Sequence, residues 1–104
     1  VNYKLIVFVP RSYLKPISEA LFAAGAGRIG NYDHCMFYSD GIGTFRPLKG
    51  ARPYKGKAGR LAKVKEDRLE IFVPGKIKNK VIAAMKKAHP YESPAYDVIE
   101  LAPN

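Results

Sequence analysis

The chain has 104 residues, 47% apolar and 26% charged, which is the length of one domain and a globular composition that argues against a disordered chain. No apolar run approaches the ~20 residues of a membrane-spanning helix, and the lone Cys35 has no partner for an internal disulfide. With no signal peptide before the first strand-like run, the expectation is a cytoplasmic protein. Eighteen basic against nine acidic side chains leave a net charge of +9, which suits anionic partners.

The first element predicted is a strand over 4–9, where Leu5, Val7 and Val9 alternate with Lys4, Ile6 and Phe8. Both of its faces can be buried, and Pro10 ends it. A helix follows over 12–24, with Ser12 as N-cap and Leu14, Ile17, Leu21 and Ala24 at helical spacing. Pro16 is tolerated only in the first turn, and Gly25 is a good terminator. A strand is expected over 32–39. Asp40-Gly41-Ile42-Gly43 then reads as a turn, and Thr44-Phe45-Arg46 as the start of an extra strand.

Residues 46–68 carry nine cations (Arg46, Lys49, Arg52, Lys55, Lys57, Arg60, Lys63, Lys65, Arg68) against Glu66 and Asp67 alone. Interspersed prolines and glycines make the first half of this stretch an exposed connection. It is either a solvated loop or a site for anions. A second strand–helix–strand set follows, with a strand over 68–73, a helix over 76–88 stopped by His89-Pro90, and a strand over 95–101.

The two sets are copies with a period of 64. Lys4-Leu5-Ile6-Val7-Phe8-Val9-Pro10 aligns with Arg68-Leu69-Glu70-Ile71-Phe72-Val73-Pro74, and without a gap Tyr32-Asp33 falls on Tyr96-Asp97. Half-repeats of about 4–40 and 68–101, separated by an insertion of about 41–67, give one α+β domain of ferredoxin-like βαββαβ order. Its sheet is antiparallel, with both helices on one face and the two FVP strands side by side at the centre.

Few motifs carry chemistry. Gly25-Ala26-Gly27-Arg28-Ile29-Gly30 spells G-x-G-x-x-G, but it follows a helix and opens a strand, so a dinucleotide would find no helix N-terminus. His34 and Cys35 are neighbours on an expected strand and point to opposite faces, so they do not chelate one ion. The densest polar segment is 89–97. There His89 and Glu92 could share a proton or a metal, against the alternative that two prolines simply stiffen a turn. No nucleophile elbow or phosphate loop is present, and the aromatic signature of the RNA-recognition fold is absent. Nucleic acid is accordingly not the expected partner.

Several stretches together form a recognisable pattern: Ala20 to Gly27, Ile29-Gly30-Asn31-Tyr32-Asp33 and Cys35, Gly43-Thr44-Phe45-Arg46-Pro47, Pro53-Tyr54, His89-Pro90-Tyr91-Glu92 and Pro94-Ala95-Tyr96-Asp97. Over about residues 3–101 the chain resembles the inserted middle domain of the NGG-one-interacting-factor-three-like proteins, the YqfO group, whose fold is similar to CutA and PII. Fuller members of that family wrap this domain in one bearing a dinuclear metal centre, and are often labelled a type-two GTP cyclohydrolase. The paired histidines of that metal domain have no counterpart here, so the resemblance implies the fold and not the hydrolase activity. CutA-like relatives tend to assemble as trimers through sheet edges.

The expected function is a stand-alone, non-catalytic, homo-oligomeric module with a regulatory or accessory role, binding an anionic small molecule or an acidic protein; the sequence itself calls for no cofactor. A metal-binding protein or hydrolase using His89 and Glu92, and a basic nucleic-acid binder, are the alternatives. The expected ligand residues are Asn31, Gly43, Arg46, His89, Tyr91 and Glu92, gathered where the turns at 25–30 and 89–94 join. His89 and Glu92 are the metal candidates.

Overall fold

A computed structural model describes residues 1–103. Its elements run β1 (Tyr3–Pro10), α1 (Leu14–Ala23), β2 (Met36–Phe45), β3 (Ala62–Val73), α2 (Lys78–Ala88) and β4 (Tyr96–Glu100). The four strands form one antiparallel sheet in the order β2-β3-β1-β4. The two FVP strands are therefore central neighbours, paired from Tyr3↔Val73 to Pro10↔Glu66. Each half begins alike, with a 3-10 turn at Arg11–Tyr13 or Gly75–Ile77 leading into α1 or α2. These starts preserve the 64-residue register of the repeat.

Alternation along the central strands sorts the two faces. Leu5, Val7 and Val9 lie beside Ile71 and Leu69 and meet Ile17 and Leu21 of α1 and Val81 and Met85 of α2 in one core. Both helices thus cover the same face. The other face carries Lys4, Ile6 and Phe8 opposite Phe72, Glu70 and Arg68, and Lys4 and Arg68 both reach Glu70. At the end of α1, the Gly25 N–H donates to Phe22 O and the Ala26 N–H to Leu21 O. With Gly25 at a φ of 104°, this is the paired closure that lets glycine end a helix in the left-handed region.

The structure corrects four local expectations. Ser12 lies in the 3-10 turn and caps nothing. The helix starts after Tyr13 without a side-chain cap, and Pro16 sits in the first turn, where its missing N–H costs no bond. The strand expected over 32–39 starts only at Met36. The Gly27 N–H bonds Phe72 O and its carbonyl accepts from Cys35, closing off the segment between as an excursion pinched by reciprocal bonds between Ile29 and Tyr32. His34 and Cys35 therefore lie in a loop, not on a strand. Finally, residues 40–43 are not a turn and 44–46 not a separate strand, because β2 runs straight through to Phe45.

The reason lies in what the two glycines of β2 provide. Neither has a positive φ. Gly43 supplies clearance, since a Cβ there would overlap the carboxylate of Glu66. Likewise β3 begins at Ala62, well before the expected residue 68. Residues 42–45 and 62–65 pair beyond the end of β1 as a two-stranded ribbon, and the molecule measures 46 Å along its longest axis.

Leu21 is fully buried under α1. Placing an unpaired carboxylate there in Leu21→Asp should cost more than about 4 kcal/mol, a large part of the stability of a domain this size. Loss of the cooperative thermal transition is expected, while Lys15→Asp on the exposed side of the same helix should melt like the parent. An unchanged melting temperature for Leu21→Asp would contradict the assigned helix face.

Candidate functional site

Antiparallel pairing of the two repeats puts their equivalent turns at opposite ends of the sheet. The 25–30 turn is tied to Phe72, which pairs with Lys4 near the start of β1. At the other end, the 89–95 turn is tied to Phe8 through both the Ala95 carbonyl and the His89 ring. The two turns do not join, which corrects the expected site. Asn31 stands exposed at one end, and the other five candidates lie at the opposite end.

That second end is built by three segments. The β2–β3 ribbon supplies Gly43, Phe45 and Glu66. The turn after α2 supplies Tyr91 and Glu92. The connection over 46–61 folds back over both, held where the Arg52 N–H donates to Glu92 Oε1 at 2.9 Å. Tyr54 of this connection meets Tyr13 edge-on at 5.7 Å and Tyr91 at 6.1 Å, and Phe45 lies 6.2 Å from Tyr91. Between these walls opens a cleft of about 530 Å³, with Arg46, Lys55, Glu66 and Glu92 on its lining.

Within the cleft the Tyr91 hydroxyl donates to Glu66 Oε2 at 2.8 Å. Burial, and then this bond and the charge of Glu66, push the phenol above its usual range. Tyr91 is thus held as a neutral donor. Glu66 in turn is placed by the bare backbone of Gly43. Of the expected residues, Gly43, Arg46, Tyr91 and Glu92 come together here, with Gly43 acting through Glu66.

His89 differs from the expectation of a ligand-facing side chain. It is buried, its Nε2 lies 2.8 Å from Phe8 O, and its Nδ1 accepts from the Tyr91 N–H at 3.1 Å. The ring is therefore neutral, protonated on Nε2, with both nitrogens committed to backbone. It fastens the end of α2 to β1 and sets Tyr91 in place. His89 and Glu92 do not meet, and among the described residues no three His, Cys, Asp or Glu side chains gather to hold a metal ion. Elsewhere, His34 stacks on Phe22 at 4.4 Å.

Tyr54, Lys55, Phe45 and Glu66 were not among the expected site residues. Their sequence signal is slight. Tyr54 is the one aromatic side chain in the basic stretch, and Glu66 and Asp67 are its first acids.

No protein-family model matches the chain. It is 54% identical over 100 residues to a GTP cyclohydrolase 1 type 2 homolog of Halalkalibacterium halodurans, a match covering 96% of this chain and 27% of that protein. Identity to the homolog of Bacillus subtilis is 52% over 95 residues, 91% of this chain and 26% of the relative. The chain thus spans about a quarter of the length of the curated relatives it matches. Among solved structures, the Bacillus cereus protein related to NIF3 superposes with a TM-score of 0.83 at 47% identity, over 96% of this chain and 25% of that one. The CutA of Archaeoglobus fulgidus gives 0.71 at 13% identity, over 100% and 87%, which shows a shared fold.

Burial lowers the His89 pKa below its usual 6.5, against smaller upward pulls from its bond to Phe8 and the charge of Glu66. The unfolded chain therefore binds the proton first, and the stability His89 contributes is complete above about pH 6.5 and lost as pH falls below it. Thermal melts from pH 8 to pH 5 should show this decline. His89→Gln should be less stable at pH 8 by about 1–3 kcal/mol and show a shallower decline. An equally steep decline in the variant would contradict the assignment.

Proposed function

We propose that the chain is the CutA-like domain of a NIF3-type protein, and that it acts as a non-catalytic, cytoplasmic module that assembles with copies of itself and takes an anionic small molecule in the cleft. One observation carries the binding role. Arg46 and Lys55 stand on a cleft walled by Phe45, Tyr54 and Tyr91, where the lining carboxylates Glu66 and Glu92 are held by the Tyr91 hydroxyl and the Arg52 N–H, so two cations with no ion-pair partner among the described residues lie beside aromatic surface large enough for a planar ring. The groups that could move a proton favour holding over turnover. Tyr91 is pushed up and bonded to Glu66, and both nitrogens of His89 are engaged. The activity named for the longer relatives would then depend on chain beyond this domain.

Self-association rests on the sheet. Its helix-free face leaves Phe37 62% and Ile99 46% exposed, one on each edge strand. Edges with unpaired backbone and apolar neighbours are stabilised by pairing or cover. A trimer is the favoured assembly.

Calorimetric titration with inorganic phosphate, pyrophosphate and aromatic carboxylates tests the cleft. At least one should bind, and Arg46→Ala should weaken it about tenfold, the loss of one charge-assisted contact, while melting is unchanged. Equal affinity in the variant would contradict the site. Native mass spectrometry of the same sample should give three protomers, and a monomer would contradict the assembly.

A further inference from the structure

Eight cations lie between Arg46 and Lys65 with no acid among them. Ion pairs among the described residues involve Lys4, Arg11 and Arg68, and none of the eight charged side chains is in one. The nearest acids bond other groups and keep their charge, so Glu66, Asp67 and Glu92 offset only part of the eight. Glu66 takes the Tyr91 hydroxyl, Glu92 takes the Arg52 N–H, and the buried Asp67 faces Arg11 at 3.6 Å. A surface with this excess of unpaired positive charge is costly to the fold by self-repulsion and is relieved by a polyanion.

The stretch is not uniform. Tyr54 stands near its middle, 43% exposed, with the Lys55 ammonium 5.9 Å from its ring centre and the aromatic cleft behind it. An acidic protein would use the charges and has no need of the ring. A single nucleic-acid strand uses both, because its phosphates follow the cations while an unstacked base lies against an aromatic face. The missing RNA-recognition signature concerns aromatics on a sheet, and here the platform is on a loop.

We infer that the 46–65 segment binds single-stranded nucleic acid, with one base at Tyr54 and the mouth of the cleft, and phosphates along the flanking lysines and arginines. The inference rests on reading the cleft as an anion site and extends its ligand from a small molecule to a strand.

The test is fluorescence anisotropy of the 104-residue chain with a labelled twelve-nucleotide oligothymidylate, its duplex counterpart, unlabelled thymidine monophosphate and an acidic twelve-residue glutamate peptide. The single strand should bind more tightly than the duplex. With about four phosphates engaged, the log–log salt slope should be about −3. Tyr54→Ala should weaken binding about tenfold with the salt slope unchanged, and Tyr54→Phe should bind like the parent. The triple reversal Lys55→Glu, Lys57→Glu, Arg60→Glu should abolish binding with the circular dichroism spectrum intact. Duplex binding as tight as the single strand, indifference to Tyr54→Ala, or equal competition by the glutamate peptide would each overturn the inference. If the monophosphate binds and the strand gains nothing over it, this inference fails and the small-ligand reading stands. If neither binds, this inference fails, and the small-ligand reading is decided by the phosphate, pyrophosphate and carboxylate titrations.

Discussion

Antiparallel pairing of β1 with β3 is the constraint on which the rest of the molecule depends. Two copies of one strand–helix–strand unit share a continuous sheet here by laying their first strands together, in the register from Tyr3↔Val73 to Pro10↔Glu66. It sets Leu5, Val7 and Val9 beside Ile71 and Leu69 on one face, so α1 and α2 bury their apolar stripes against a common floor. It also leaves β2 and β4 at the edges. A slip of one residue would turn every one of these side chains to the wrong face.

The same pairing decides where chemistry can collect. A two-fold relation between halves sends equivalent turns to opposite ends, and the halves then diverge. One end keeps the glycine closure after α1. At the other, the ribbon of β2 and β3 overshoots the sheet, and its connection folds back over the turn after α2. Glu66, Tyr91, Tyr54 and Phe45 meet because of that overshoot. Gly43 permits it, its missing side chain leaving room for the Glu66 carboxylate. His89 holds the turn by two backbone contacts, so a residue that reads from the sequence as a ligand or metal candidate fastens the fold.

The core and topology were legible in the sequence because they rest on local patterns: the alternation in the FVP strands, the helical stripes, and a repeat whose register survives in both helix starts. Gly43, Arg46, Tyr91 and Glu92 were also legible as neighbours. What escaped depended on pairing. Asp40-Gly41-Ile42-Gly43 reads as a turn from composition, yet it is strand because β3 continues opposite it. The repeat makes the turns of Asn31 and Tyr91 equivalent in sequence, and the strand direction separates them. Tyr54 and Glu66 were hidden because a side chain's place in a folded-back connection follows from tertiary contacts that no periodicity records.

The claim that binding belongs to the end of the sheet where the ribbon overshoots is tested most directly by backbone amide shifts of the labelled chain titrated with pyrophosphate. Perturbation should concentrate at 44–55 and 91–95 and spare 25–31. Shifts centred on Gly27 to Asn31 instead, or no saturable change anywhere, would contradict the account.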